Sequence, residues 1–242
     1  MKNILFTGGS GLLGSEMQEL FPKSHFPTSS ELDITTDVQV WTQITGLKEI
    51  DTIVHMAAYT SPPKVDNNPI DALAVNIIGT CYIVEACAAV NKRLIYISTD
   101  YVFDGNKGNY KEDDPMYPVN KYAWSKLGGE CAVKMYDNSL IVRLSFGPNE
   151  FPYEGAFIDQ WTSREPVSAI AKKLKKLIIS DVTGTIHIGS NRRTVYNYAK
   201  SISPDKKLLE LSIKNMQTKM PKDTSLDITR YKSIIGDEKS ET

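Results

Sequence analysis

The chain has 242 residues, of which 41% are hydrophobic and 24% charged, a balance that fits a folded globular protein and excludes a disordered or fibrous one. With 28 Lys and Arg against 29 Asp and Glu, the net charge of -1 offers no global field for a nucleic-acid backbone or an anionic membrane, so any phosphate binding must be local. Cys81, Cys87 and Cys131 form an odd set without CxxC spacing, which argues against a disulfide framework or a zinc site and suits a reducing cytoplasm.

In chain order, the first half alternates short β-rich runs with longer helical patterns. Strands are expected at 3–7, 25–28, 52–56, 93–98 and 140–144, and crossover helices at 11–20, 36–44, 69–90 and 122–136. The first run turns into glycines before an apolar core of signal-peptide length could form. This alternation is the signature of βαβ units, hence an α/β fold with a doubly wound, Rossmann-like parallel sheet, and residues 1–147 read as a dinucleotide-binding domain. After Phe146-Gly147-Pro148 the rhythm breaks into a Pro- and aromatic-rich segment, 149–166. It resumes with a helix at 167–179 and a strand at 185–189 that is expected to rejoin the sheet. Residues 148–166 and 190–242 then form a small C-terminal lobe, with a short helix after Asn191, a strand-like run at 207–213 and a polar tail, GDEKSET, whose last residues read as disordered. The apolar run 72–90 carries Asn76 and Glu85, so it reads as a buried helix rather than a membrane span. VSAIAKKLKKLII (167–179) reads as an apolar stripe docked under a solvated Lys face.

The segment Thr7-Gly8-Gly9-Ser10-Gly11-Leu12-Leu13-Gly14 follows the first strand and opens a helix. Glycines at 8, 11 and 14 allow a sharp turn, a close approach of backbone to a pyrophosphate, and tight packing of helix on strand. Free N–H groups at the helix N-terminus then meet the phosphate charge. No Gly-Lys-Ser/Thr follows, which excludes a nucleoside-triphosphate loop of that type, and Leu12 spoils a Gly-x-Ser-x-Gly elbow. The second strand ends in Thr28-Ser29-Ser30, neutral hydroxyls that tolerate a ribose 2′-phosphate and favour NADP(H) over NAD(H), with Glu31 close enough to oppose that preference. Asp33, ahead of Ile34, either reaches the adenine edge or caps the next helix.

A Tyr-x-x-x-Lys pair places both side chains on one helical face, where the ammonium can stabilise a phenolate. Three such pairs occur, Tyr117/Lys121, Tyr122/Lys126 and Tyr196/Lys200, and spacing alone does not choose among them. Pro118 interrupts the first, and the third lies far along the chain from the glycine turn. Tyr122/Lys126 begins a helix that follows a strand ending in Ser98-Thr99-Asp100-Tyr101. His55 and His187 read as structural, and Glu112-Asp113-Asp114 as a solvated acidic loop rather than a metal site.

The ordered segments TGGSGLLG, LDIT, HMAAYT (55–60), VNIIGT (75–80), STDYVFDG (98–105) and YAWSK (122–126) resemble the extended short-chain dehydrogenase/reductase family, and STDYVFDG is most similar to its dTDP-4-dehydrorhamnose reductase branch. The resemblance covers residues 1 to about 147 and is loose beyond, at GTIHIG and SLDITRY. It implies NADPH-dependent reduction of the 4-ketone of a nucleotide-linked 4-keto-6-deoxy sugar, catalysed by Thr99, Tyr122 and Lys126, with Ser98 as the fallback hydroxyl. A retained-cofactor epimerase or dehydratase, or a non-catalytic NADP-binding regulator, are the alternatives on the same fold. The implied cofactor residues are Gly8, Ser10, Gly11, Leu12, Leu13, Gly14, Ser29, Ser30, Asp33, Ile34, Ala57, Ala58, Tyr59, Asn76, Tyr122 and Lys126. Asn76 either anchors a water relay behind Lys126 or bonds backbone. Substrate contacts are expected from Thr99, Asp100, Tyr101, Val102 and Phe103, and, among the cations Lys64, Arg143, Arg192 and Arg193, from the last two. The small lobe is expected to bind the substrate, and a homodimer is expected. Two departures stand out: Tyr59-Thr60-Ser61-Pro62-Pro63-Lys64-Val65-Asp66 replaces a YTAVDKAE-like segment, and Tyr122-Ala123 replaces the usual Tyr-Gly.

Overall fold

The computed structural model describes residues 3–217 and 219–236; most of the polar tail, 237–242, lies outside them. Five strands, β1 (Ile4–Thr7), β2 (Thr52–His55), β3 (Arg93–Ile97), β4 (Ser139–Arg143) and, far later in the chain, Gly184–His187, form one parallel sheet in that order. The first four are buried at every position, because helices cover both faces. The period of two divides their side chains. Ile4, Phe6, Val54, Ile95 and Val142 face one apolar cluster, and Leu5, Ile53, Leu94, Tyr96 and Ile141 face the other.

Over the first face lie α1 (Leu12–Leu20) and the basic helix Val167–Ile179, whose Val167, Ile170, Ala171, Leu174, Leu177 and Ile178 are buried, as its stripe predicts. The second face is covered by α2 (Asp37–Gly46) and two long helices. One runs from Pro69 to Ala89 with a π-helical stretch at Leu73–Ile78; the other is Lys121–Val133. The Pro69–Ala89 helix is long and apolar enough to cross a membrane, but here Asn76, Thr80, Ile83, Ala86 and Cys87 are buried against the fold.

The strand expected at 25–28 is reduced to a single parallel bridge between His25 and Leu5. His25 donates to the Ile4 carbonyl and accepts from Phe6 N–H, at 2.9 and 2.8 Å. The next donor in that register belongs to Pro27, which has no N–H, so the ladder stops. The bridge still places this segment outside β1 while β2 lies inside it, so the chain reverses direction across the sheet at the C-terminal end of β1, where ligands bind in such folds.

Outside the large sheet, three two-stranded pairs organise the remainder. Phe146–Gly147 pairs with Glu165–Pro166, Trp161–Thr162 with Arg193–Thr194, and Gly155–Phe157 with Leu209–Leu211, the last being the core of the run expected at 207–213. Val195–Ile202 is the short helix expected after Asn191.

Candidate active site

The glycine turn has the geometry that its spacing requires. Gly8 has φ +77°, and a Cβ there would lie 2.7 Å from Ala57 N. A Cβ on Gly14 would lie 2.3 Å from the Gly9 carbonyl oxygen, so α1 packs on the turn more closely than any side chain allows. Gly11 caps α1, and a Cβ there would meet only the Gly8 oxygen, at 3.4 Å. No side chain caps this helix; Ser10, Gly11 and Leu12 are exposed around its first turn, and Leu13 is buried. Open space over Gly11 beside uncapped N–H groups fits a dinucleotide pyrophosphate. Ala57, Ala58 and Tyr59 leave β2 beside this turn, half-buried.

At the second-strand end, the hydroxyls are not alone. Both the N–H and Oγ1 of Thr28 donate to Glu31 Oε2 at 2.8 Å, and Thr28 Oγ1 lies 2.9 Å from Ser30 Oγ. These bonds hold the Glu31 carboxyl below its usual range, so a carboxylate stands beside the exposed Ser29 and Ser30. Asp33 does not cap α2, which has no side-chain cap: its Oδ1 accepts from Thr35 N–H at 2.9 Å and Thr35 Oγ1 at 2.7 Å, in the turn that precedes the helix. Ile34 is buried against Gly79.

Thr99, Tyr122 and Lys126 converge beyond β3. Thr99 caps the short turn Asp100–Val102 by accepting from Tyr101 N–H, and Asn120 Oδ1 caps the Lys121–Val133 helix by accepting from Ala123 N–H at 2.9 Å, which sets where Tyr122 and Lys126 project. Tyr122 lies edge-on to Tyr101 with ring centroids 6.4 Å apart. Burial raises the Tyr122 phenol, while its hydrogen bond with the Thr99 side chain draws it down. Lys126 Nζ donates to the Ile97 carbonyl at 2.8 Å and sits 4.2 Å above the Tyr96 ring. Burial lowers its ammonium to about 7, against the pull of Glu130 one turn along. Thr99 Oγ1 also lies 3.2 Å from Asp100 Oδ1, and Thr224 Oγ1 donates to Asp100 Oδ2 at 2.5 Å. Burial raises the Asp100 carboxyl to about 6. Of the other Tyr/Lys pairs, Tyr117 is exposed and Lys121 donates to the Asp66 carbonyl, while Lys200 donates to the carbonyls of Pro204 and Lys206.

Several expectations are corrected, whereas Asn76 takes its backbone-bonding alternative. In the π-helical stretch its amide clamps the Tyr59 backbone, accepting at 2.7 Å and donating at 2.9 Å, and donates to Ser125 Oγ at 2.8 Å. Ser125 in turn donates to the Tyr122 carbonyl at 2.8 Å, so Asn76 ties the loop after β2 to the helix that carries Tyr122. Arg192 is held by Asp223 at 2.7 Å and stacks 3.7 Å over Trp161; Arg193 donates to Ser201 Oγ and the Arg164 carbonyl. Both are tied to neighbouring segments of the chain, Arg192 through its Nε and Arg193 through its terminal amino groups. Arg143 is fully buried in an ion pair with Glu130, which also accepts from Ser98, removing Ser98 as the fallback hydroxyl. Breaking such a pair typically costs about 3–5 kcal/mol. The Val102 and Phe103 side chains pack with Tyr110, Leu127 and Leu226 and hold the loop from behind. His55 and His187 are buried, hydrogen-bonded and lowered to about 3, chiefly by burial. Glu112 accepts from His187 N–H, and Asp114 pairs with Lys107.

Two contributors escaped the sequence. Arg164, in the loop before Glu165–Pro166, places its charge near Asp100, Tyr101 and Tyr122. Thr224 reaches Asp100 across 124 residues. Neither belongs to a spaced motif, and only the return of the C-terminal segment brings them in.

Residues 1–176 match the family described as RmlD substrate binding domain. The bovine methionine adenosyltransferase 2 subunit beta is 28% identical, the match covering 84% of this chain and 71% of that protein. The dTDP-4-dehydrorhamnose reductase of Aggregatibacter actinomycetemcomitans is 35% identical over 62% of this chain and 53% of its own length. Among solved structures, the dTDP-4-dehydrorhamnose reductase of Bacillus anthracis in complex with NADP is 28% identical with a TM-score of 0.86, covering 97% of this chain and 92% of that one. The chain therefore belongs to the RmlD substrate-binding-domain family of extended short-chain dehydrogenase/reductases, a family of NAD(P)-dependent oxidoreductases.

Proposed function

We propose that the chain is an NADPH-dependent 4-ketoreductase acting on a nucleotide-linked 4-keto-6-deoxy sugar such as dTDP-4-dehydrorhamnose. The observation that carries this reading is the meeting of Thr99, Tyr122 and Lys126 beside a glycine turn shaped for a dinucleotide. Backbone at Gly8, Ser10, Gly11, Leu12, Leu13 and Gly14 holds the pyrophosphate, Ser29 and Ser30 the adenosine ribose, Ala57 to Tyr59 the cleft wall, and Tyr122 with Lys126 the nicotinamide ribose. NADPH, when bound, supplies the hydride. Neutral Ser29 and Ser30 and the NADP complex of the Bacillus anthracis relative support NADP, while Glu31 weakens that preference. Residues 148–166 and 190–236 serve as the substrate lobe, with Asp100 and Tyr101 at its junction with the catalytic helix.

Tyr122 donates its phenolic proton to the ketone oxygen. Burial keeps that phenol protonated through neutral pH, the state a donor needs. The hydrogen bond with Thr99 and the charge of Arg164 favour the phenolate left behind, and Lys126, one turn along the same helix, is the cation that the family resemblance assigns to that role. The Thr99 hydroxyl lies between Asp100 and Tyr122; turned to the ketone oxygen, one such donor is worth about 3 kcal/mol.

A second reading, an NADP-binding regulator that transfers no hydride, is favoured by the match to the bovine subunit across 84% of the chain. Loss of reduced-nicotinamide absorbance on mixing protein, NADPH and dTDP-4-dehydrorhamnose tests both. Net consumption supports the reductase and excludes a retained-cofactor epimerase or dehydratase. NADPH binding without consumption refutes dTDP-4-dehydrorhamnose as the substrate and shifts the reading to another nucleotide-linked keto sugar or to the regulator.

A further inference from the structure

Pairing of Phe146–Gly147 with Glu165–Pro166 sets Arg164 against the loop after β4, where its Nε donates to Ser145 Oγ at 3.3 Å. A Cβ built on Gly147 would lie 3.9 Å from Arg164 Cδ and 3.2 Å from the Tyr198 hydroxyl, so the two side chains converge over this glycine. Tyr198, from the helix Val195–Ile202, is 1% exposed, and its hydroxyl meets no hydrogen-bonding partner among the described residues. The terminal amino groups of Arg164 donate to no acceptor among the described residues; those of Arg192 do not either, but Arg192 is paired with the Asp223 carboxylate over Trp161, and Arg143 and Arg193 are each committed. The Arg164 charge acts on Tyr198 and Tyr122 alike, which places it between the lobe and the catalytic tyrosine.

A buried phenol without an acceptor is costly, and beside it the Arg164 terminal amino groups have no direct acceptor, the Asp100 carboxyl acting on the guanidinium through its charge alone. One acceptor-rich anion satisfies both: a guanidinium donates to phosphate oxygens in a planar fork, and a neighbouring hydroxyl can donate to the same group. We infer that Arg164 and Tyr198 together bind a phosphate oxygen of the substrate's nucleoside diphosphate. The inference rests on the nucleotide-sugar reading above and assigns the anion-binding role that Arg192 and Arg193 do not fill. An open Gly147 is then part of the design, since any side chain there would crowd the Tyr198 hydroxyl.

The test uses dTDP, which carries the diphosphate and no ketone, titrated calorimetrically into the NADPH-loaded protein. NADPH titrations of the same variants serve as the comparison. Arg164→Gln should weaken dTDP binding by about 10- to 100-fold, the range for a charge-assisted hydrogen bond, and leave NADPH affinity unchanged. Tyr198→Phe removes only a hydroxyl that has no partner in the free protein, so it should fold as the wild type does and weaken dTDP binding by roughly 3- to 10-fold. Unchanged dTDP affinity in both variants overturns the inference, as does loss of NADPH rather than dTDP binding. Failure of the wild type to bind dTDP, UDP and inorganic pyrophosphate also overturns it. Because dTDP binding needs no hydride transfer, an inactive protein with the expected dTDP losses refutes the reductase alone, whereas turnover with unchanged affinities refutes the diphosphate site alone.

Discussion

Asp100 offers a thermodynamic test of the site that needs no substrate. It is 2% exposed, and burial raises its carboxyl from 3.8 to about 6, against hydrogen bonds from Thr224 and Thr99 and the charge of Arg164. With the folded value above the unfolded one, the native chain binds more protons than the unfolded chain between about pH 4 and 6. The group's contribution is therefore most favourable below about pH 4 and is lost as pH rises through 6. Two units correspond to about 3 kcal/mol at neutral pH, or roughly 6–12 °C in Tm for a chain of this size. Asp100→Asn is isosteric, retains an acceptor for Thr224 and cannot ionise. The difference in Tm between variant and wild type should thus widen in the variant's favour from pH 4.5 to 7.5, measured by calorimetric melts. Subtracting the curves cancels the other titrating groups, among them Lys126. Its lowered pKa acts in the opposite sense, adding stability as pH rises from about 7 towards 10.5. Parallel curves for the two proteins would refute the claim that Asp100 is buried as a high-pKa acid against Thr99.

Tyr122→Phe should preserve NADPH binding and lower turnover by at least about 100-fold, the usual worth of a positioned proton donor; retained turnover removes Tyr122 from the mechanism. Gly14→Ala drives a methyl into the carbonyl oxygens of Gly8 and Gly9 and should cost about 1–3 kcal/mol in denaturant titration while abolishing NADPH binding; a variant with wild-type affinity contradicts the close-approach argument. Glu31→Gln removes the carboxylate that Thr28 holds beside Ser29 and Ser30, and should raise the ratio of NADP to NAD affinity in calorimetry. An unchanged ratio would mean that the 2′-phosphate is read elsewhere.

Local patterning made the sheet legible because parallel strands buried on both faces are nearly continuous apolar runs, and β1 to β4 are such runs. The glycine turn was legible for a related reason: a positive φ at Gly8 and sub-contact approaches at Gly8 and Gly14 admit no other residue, so backbone geometry is written directly into residue type. The strand expected at 25–28 shrinks to one bridge, since β-forming residues there cannot supply the donor that Pro27 lacks. Tyr122 and Lys126 could be named from spacing and position together, although spacing alone offered three pairs.

The cations were the opposite case. Arg143, Arg192 and Arg193 look alike in sequence, yet one is buried on Glu130, one is clamped by Asp223 over Trp161, and one ties the helix Val195–Ile202 to the loop at Arg164. Which partner each guanidinium takes depends on carboxylates and carbonyls 13 to 31 residues away, and no local pattern encodes that. Asp100 is similar, because its environment is completed by Thr224 and Arg164, brought in only when the C-terminal segment folds back. Elements and turns follow from backbone sterics and hydrophobic period, which act within a few residues, and so the sequence by itself determined the fold class, the dinucleotide turn and the Tyr/Lys face. Burial, charge pairing and the protonation of Asp100 and Lys126 depend on desolvation by distant parts of the chain, and only the tertiary structure decided them.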